Sequence, residues 1–219
     1  MSDAQRAALE KAQAANYEYW HCDRCGRRVQ RYRNELCHRC EMVDWAVSVL
    51  ARDDLVILDT ETTGLDVSDD PVQIAVIDRN GATLFNSLIK PRDPARLLEG
   101  AARVNGIYPQ DVENAPSFPA IYPALAAALR GCFVVVYNAD YDLPLLAETC
   151  EYHSLPHLPY AGADCAMLAA SQWFGWWSYY WQGYQWQPLP GGDHTALGDC
   201  LATLEVLRAM KADDFGIWR

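Results

Sequence analysis

Residues 54–66 read DLVILDTETTGLD, and the fold turns on how that stretch is taken. Leu55 to Leu58 run without a polar interruption and then meet acid. A short continuous apolar run closed by turn residues is the pattern of a strand buried on both faces. Side chains alternate along a strand, so Asp59 and Glu61, two apart, face one side if the strand persists. Gly64 then breaks the chain into a turn. The expectation is a buried strand that ends in paired carboxylates.

Further acids follow on helices. PVQIAVIDRNGATLFNSLIKP (71–91) holds two strand-like runs around Arg79, Asn80 and Gly81, a hairpin signal, which makes three successive strands. FPAIYPALAAALRG (118–131) reads as a helix stopped by Gly131. In CFVVVYNADYDLPLLAET (132–149), a strand over Phe133–Tyr137 runs into a helix opened by Asp142, where the helix N-terminus favours a carboxylate. PGGDHTALGDCLATLEVLRAM (190–210) starts a helix whose apolar positions 197, 201, 204, 207 and 210 form one stripe. His194 precedes that helix, and Asp199 lies in its first two turns.

Four carboxylates and a histidine thus come from one strand end and two helix starts. Carboxylate oxygens with few other polar partners suit hard cations such as Mg2+ or Mn2+. Two such ions about 3.5–4 Å apart stabilise both the attacking and the leaving oxygen of phosphoryl transfer. A nearby histidine, with an unperturbed pKa of about 6.5, can take the proton of an attacking water.

LDTETTGL, YNADYDLPLL and HTALGDCLAT resemble, in order, the three motifs of the DEDDh exonuclease family, which includes proofreading subunits of bacterial replicative polymerases, RNase T and oligoribonuclease. The resemblance spans roughly residues 50–210, and ARVNGIYPQDVENAPSF (102–118) resembles the family's usual connection between the first two motifs. It implies an RNase H-like α/β domain with a five-stranded mixed sheet flanked by helices. It implies that Asp59, Glu61, Asp142 and Asp199 hold two Mg2+ or Mn2+ ions, with His194 as general base. The implied reaction is release of nucleoside 5′-monophosphates from a 3′ end. Thr62 and Leu65 match positions that hold the 3′-OH and pack on the base, and Asn138 and Tyr141 match positions that shape the pocket. Pure packing is the alternative for Leu65 and Tyr141. Two departures stand out: Tyr137-Asn138-Ala139 replaces the frequent His-Asn-Ala, and Asn105-Gly106-Ile107 replaces the common His-Gly-Ile. Single-stranded DNA is the first substrate expected and RNA or short oligonucleotides the second. The rival class is a non-catalytic adaptor that recruits nucleic acid or protein.

Composition divides the 219 residues in two. Formal net charge is −11, yet residues 21–40 carry six arginines against two acids, a local +4, which leaves −15 elsewhere. The same segment, HCDRCGRRVQRYRNELCHRC, spaces four of the eight cysteines as C-x2-C-x11-C-x2-C: Cys22, Cys25, Cys37 and Cys40. Two such knuckles build a tetrahedral thiolate site for one structural Zn2+. The spacer has too few apolar residues for a core, so the metal would supply the folding energy. Disulfides are the alternative, which the absence of an export signal disfavours. The arginines either grip phosphates or an acidic partner, or form a solvated face. Cys132, Cys150, Cys165 and Cys200 read as reduced, buried thiols.

Residues 1–20 read as an amphipathic helix, and EMVDWAVSVLARDD (41–54) as a helix that links module to domain. The expected division is 1–52, with helix, zinc module and linker, and 53–219, the α/β domain. No apolar run approaches the ~18–20 residues of a membrane span, so a cytoplasmic protein is expected. One segment has no periodic explanation: WFGWWSYYWQGYQW (173–186) packs five of the eight tryptophans into fourteen positions. It is either an aromatic cluster that packs an insert onto the domain, or a surface where bases stack.

Overall fold

Alternate residues of the run at 55–58 enter two separate cores, which is why the run tolerates no polar residue. Leu55 and Ile57 pack into one core, Val56 and Leu58 into the other. The computed structural model describes residues 19–30, 36–66, 68–93, 97 and 99–218. The chain begins with a small antiparallel pair, β1 (Tyr19–His21) and β2 (Arg28–Gln30), followed by helix α1 (His38–Leu50). Strands β3 (Leu55–Thr62), β4 (Pro71–Asp78) and β5 (Thr83–Leu88) come next. Short helices α2 (Glu99–Asn105) and α3 (Pro109–Val112) lead to α4 (Phe118–Leu129). Then come β6 (Phe133–Val136), α5 (Ala139–Tyr152), β7 (Gly162–Cys165) and α6 (Ala166–Phe174). A two-residue pair, β8 (Trp177–Ser178) with β9 (Gly183–Tyr184), precedes α7 (Ala196–Ala212).

The main sheet has the order β5-β4-β3-β6-β7. β4 is antiparallel to β3 and β5, while β6 runs parallel to β3 and β7 parallel to β6. This is the expected five-stranded mixed sheet. Helices α4 and α5 close one face, and α1, α6 and α7 close the other. The hairpin at 79–81 forms as read. Asp78 accepts from the backbone N–H of Asn80 and Ala82 at 2.8 Å each, and Gly81 takes a φ of +94°.

Several expectations shift. Strand β6 ends at Val136, and Tyr137 is the first residue beyond it. The α7 stripe holds at Leu204, Leu207 and Met210, but its start shifts to Ala196 and Cys200, with Leu201 exposed and Leu197 half-buried. Cys200 fills the place because its thiol lies under the sheet, against the carbonyls of Ile57 at 3.6 Å and Ala75 at 3.5 Å. Strand β7, with the sequence GADC, supplies the fifth strand that the family resemblance implies, at a place that no apolar run marks. The helix expected over residues 1–20 lies outside the described residues as far as residue 18, and residues 19 and 20 belong to β1. All eight cysteines are free; Cys150 and Cys200 are buried, Cys132 and Cys165 only half-buried. Among the described residues no helix is long and apolar enough to cross a membrane.

Helix α1 is more than a connector. Ala46 and Val49 are buried in the core shared with α6 and α7, and Trp45 Nε1 donates to Asp164 of β7 at 2.9 Å. The same core takes the first ring of the aromatic stretch. Trp173 is fully buried, stacks on Phe215 with centroids 4.1 Å apart, and donates through Nε1 to Asp213 at 2.8 Å. Arg39 of α1 lies over Phe215 and pairs with Asp213 at 2.6 Å, so this ring ties α1, α6 and the C-terminal segment together. Trp173→Ala is therefore expected to lower unfolding stability by about 3–5 kcal/mol, measured as a shift of the urea midpoint.

Candidate active site

The odd-numbered face of β3 continues from Leu55 and Ile57 into Asp59 and Glu61, towards the start of α7. Asp59 is buried and Glu61 partly so. From α7, Asp199 meets them: ligand oxygens of Asp59, Glu61 and Asp199 all lie within 4.8 Å of one another. Asp142 reaches the same strand end from α5, over the opposite face. It is buried, and its carboxylate accepts from the Thr60 hydroxyl at 2.6 Å. Asp142 is not in the tightest group of three, but its charge is felt at Asp59 and Glu61.

Local structure aims each acid. Asp142 and Asp199 sit in the first turns of their helices, where the N-terminal dipole favours negative charge. Asp199 Oδ1 also accepts the backbone N–H of Asp193 at 3.0 Å and of His194 at 3.2 Å. Asp193 folds the loop before α7 by accepting from the Thr195 backbone at 3.0 Å and hydroxyl at 2.7 Å. Thr195 caps the helix by accepting from Gly198 N–H at 3.0 Å. At Gly198 a Cβ would stand 2.0 Å from Asp193 Oδ1, so a larger residue would push the Asp193 carboxylate aside. His194 is exposed and takes a φ of +59°, a backbone conformation that costs a non-glycine residue of order ~1–3 kcal/mol and clusters at functional sites.

Burial and mutual repulsion push the acids towards their neutral forms. Asp59 is raised well above the carboxylate range by burial and then by the charges of Asp142, Asp199 and Glu61. Glu61 is raised to about 8 by burial and by Asp199 and Asp142, against a hydrogen bond from Asn105. Asp142 is raised to about 6 by burial despite its bond from Thr60, and Asp199 is raised by burial. Among the described residues none of the four is ion-paired with Lys or Arg. An all-oxygen, uncompensated set of this kind fits a hard divalent cation.

Of the residues that match the family's terminal-nucleotide positions, Thr62 is buried and donates to Gly64 O at 2.6 Å, and the Tyr141 hydroxyl donates to the same carbonyl at 2.8 Å. Leu65, at the tip of that turn, is 93% exposed. Asn138 precedes α5, and its carbonyl accepts from the N–H of Tyr141 and Asp142. Both departures from the family pattern have structural roles. Asn105 Nδ2 donates to Thr62 O at 3.2 Å while its Oδ1 accepts from Ile107 N–H at 3.0 Å. The Tyr137 hydroxyl, buried, donates to Gln187 O at 2.9 Å and pins the loop that leads to His194. Thr60, Gln73, Asn105 and Asp193 were not picked out as supports of the acids from sequence. Gln73, opposite Glu61 in the register, accepts from the Ala196 N–H at 3.1 Å.

The exonuclease family described as Exonuclease (RNase_T) matches residues 56–207, which takes in every one of these carboxylates. The chain belongs to that family. Exonuclease CP81 of Escherichia phage 186, itself uncharacterised, is 32% identical over 174 residues, covering 72% of this chain and 88% of the phage protein. The DNA polymerase III subunit epsilon of Treponema pallidum is 30% identical over 121 residues, 52% of this chain and 55% of that one. Among solved structures, exonuclease X in complex with 5′-overhanging duplex DNA is 26% identical with a TM-score of 0.50, covering 73% of this chain and 92% of that one. The nuclease domain of 3′hExo, a DEDDh member bound to rAMP, shares the fold at 14% identity and a TM-score of 0.52, covering 74% and 94%. The family member described here is thus a nuclease, a phosphodiester hydrolase, with an RNase H-like fold.

The second cysteine-rich group is also assembled. Ligand atoms of Cys22, Cys25, Cys37 and Cys40 lie within 4.8 Å of one another, with Cys22–Cys40 and Cys25–Cys37 Sγ separations of 3.8 Å. Four thiolates about 2.3 Å from a tetrahedral Zn2+ stand about 3.8 Å apart. Neither His21 nor His38 joins the group; His38 pairs with Glu41 at 3.2 Å. Burial raises Cys37 and Cys40, whereas Cys22, against its burial, is drawn down to about 6 by backbone N–H groups of Cys25, Cys37 and Arg24.

The raised carboxylates fix a pH dependence. Their folded pKa values exceed the unfolded ~4, so the folded state holds more protons and stability falls as pH rises from about 4 through about 8. Metal-free protein is expected to melt at a lower temperature at pH 8 than at pH 5.5. Mg2+ or Mn2+ is expected to raise the melting temperature more at pH 8, because cation and proton compete for the same oxygens. Differential scanning fluorimetry with and without added Mg2+ or Mn2+ reads both.

Proposed function

We propose that this nuclease is a metal-dependent 3′→5′ exonuclease that releases nucleoside 5′-monophosphates, with single-stranded DNA as its first substrate. The observation that carries the reading is the convergence of Asp59, Glu61 and Asp199 within 4.8 Å, with Asp142 beside them and His194 on the adjoining loop. Asp59, Glu61, Asp142 and Asp199 would hold two Mg2+ or Mn2+ ions, which supply charge neutralisation at the scissile phosphate. His194, exposed on a loop braced by Asp199 and Asp193, serves as general base and takes the proton of the attacking water. Thr62 and Tyr141, both engaged at Gly64 O, form the floor for the 3′-terminal sugar. Leu65 stands clear of the turn where a base can lie against it, and Asn138 borders the pocket. DNA as substrate is favoured by the likeness to a structure solved with DNA at 26% identity. Exoribonuclease action is the second reading. The adaptor reading would leave a costly set of buried carboxylates without use.

The four thiolates would hold one structural Zn2+ in a module of residues 1–52, with residues 53–219 as the catalytic unit and α1 shared between them. The module would serve docking on nucleic acid or on a protein partner. Of its arginines, Arg24 and Arg39 are engaged within the chain, by Asp44 at 2.7 Å and Asp213 at 2.6 Å. Eight free thiols suit a reducing compartment, and we place the protein in the cytoplasm.

Asp59→Ala is expected to lower the rate of 3′-end trimming in Mg2+ by about 100-fold or more. The assay compares labelled single-stranded DNA, duplex DNA and RNA, with products resolved by nucleotide; trimming at full rate by the variant would overturn the metal reading. Metal analysis should find one zinc per chain, lost in Cys22→Ser. Removal of residues 1–36, which keeps α1 and its core residues, is expected to preserve turnover of dinucleotides while weakening binding of longer substrates.

A further inference from the structure

We infer that the uncharged aromatic hairpin between α6 and α7 is a stacking platform for unpaired bases of the strand being degraded. This rests on the nuclease reading above and extends it from the 3′ terminus to the strand behind it. Residues 171–192, SQWFGWWSYYWQGYQWQPLPGG, contain no Asp, Glu, Lys or Arg, in a chain where 21% of residues are charged and the net charge is −11. A polyanion approaching most of this protein meets repulsion. This hairpin adds no charge of its own to that repulsion, and it offers rings.

The rings divide by environment. Trp173 and Phe174 pack with Phe215 and Trp218 and belong to the core. Gly175, at φ +76°, ends α6 in a left-handed turn and sends the chain outward. Beyond it Trp176 is 58% exposed, Trp181 73% and Trp186 71%. Tryptophan is highly buried on average, so three exposed copies within eleven residues need a use. The hairpin is braced rather than loose. Trp177 pairs with Tyr184 across β8 and β9, and Gln185 N–H donates to Trp176 O at 2.9 Å. Trp181 N–H donates to the buried Ser178 hydroxyl at 3.3 Å, and the Tyr180 and Trp181 rings meet edge to face at 4.7 Å. Rings held in place lose little freedom on binding.

Position selects the occupant. At one end, Gln187 is tied to Tyr137, whose next residue is Asn138 at the start of the helix carrying Asp142. At the other end, the Tyr184 ring lies 5.5 Å from His38, the first residue of α1, beside Cys37 and Cys40. Within four residues, Tyr184 to Gln187, the far side of the hairpin thus touches both the residue before Asn138 and the helix that carries Cys40, so the exposed rings are held by the elements of both clusters. Bases present neutral faces to aromatic rings without sequence preference. A lipid surface is a poor fit, because interfacial anchors pair such rings with Lys and Arg and this segment has neither.

The test uses full-length, zinc-loaded protein carrying Trp181→Ala, Trp186→Ala, both together, or Trp181→Phe. Turnover is measured on a long single-stranded oligodeoxynucleotide and on a dinucleotide, alongside quenching of tryptophan fluorescence by the long strand without added Mg2+ or Mn2+. The double variant is expected to raise KM for the long strand about 5- to 100-fold relative to the dinucleotide, with kcat little changed and Trp181→Phe recovering most of the loss. An unchanged KM ratio in a variant with native melting temperature overturns the platform. So does binding to anionic vesicles that the double variant abolishes while strand KM stays the same. If the unmodified protein hydrolyses neither substrate, the nuclease reading has failed instead, and quenching by the strand, present or absent, decides the platform separately.

Discussion

Four carboxylates gathered at the end of one buried strand repel each other, and the described structure is organised to hold them there. Burial at Asp59 and Asp142 removes the water that would screen the repulsion. Partial relief comes from dipoles: two helix starts, the Thr60 hydroxyl, two backbone N–H groups at Asp199 and the amide of Asn105. None of these carries a full positive charge. A site with this balance is incomplete in the electrostatic sense, and a divalent cation is the species that completes it.

The sheet makes the gathering possible because β3 is covered on both faces. Its odd positions carry the acids towards α7, while Thr60, on the even side, reaches the helix of Asp142. Helix α1 belongs to this frame as well as to the thiolate group, since Cys40 and Val49 are both buried along it. The charge contrast between an arginine-rich start and an acidic remainder is thereby partly cancelled inside the molecule. Arg24 and Arg39 spend their charge on Asp44 and Asp213, the latter also gripped by Trp173.

Much of the fold was legible because a few strong local patterns carry it. The Leu55–Leu58 run, the 79–81 turn and the Gly191-Gly192 break each have one reading. Strand β7 escaped because GADC is an edge strand of four half-buried residues with no hydrophobic signature. The α7 stripe holds at Leu204, Leu207 and Met210 but not at its start, where Ala196 and Cys200, weak hydrophobic markers, take the positions nearest the sheet while Leu201 points out. In the site, the acids could be named from spacing, but their supports could not. Asn105 and Gln73 act across 43 and 123 residues, and no local pattern records a bond of that separation.

The sequence alone determined the chemistry: two acids on one face of a strand, acids at two helix starts, and four thiols in paired knuckles. Those follow from periods of two residues and from short spacings, which the covalent chain imposes before any folding. Tertiary structure decided everything that depends on distant segments meeting. It brought Asp199 to Asp59 and Glu61, turned Tyr137 into an anchor for the loop of His194, and sorted the aromatic stretch into core and surface. Trp173 and Trp181 are the same residue type eight positions apart. Only the arrival of Phe215 and Arg39 over the first of them, with nothing comparable over the second, made one a core residue and left the other facing water.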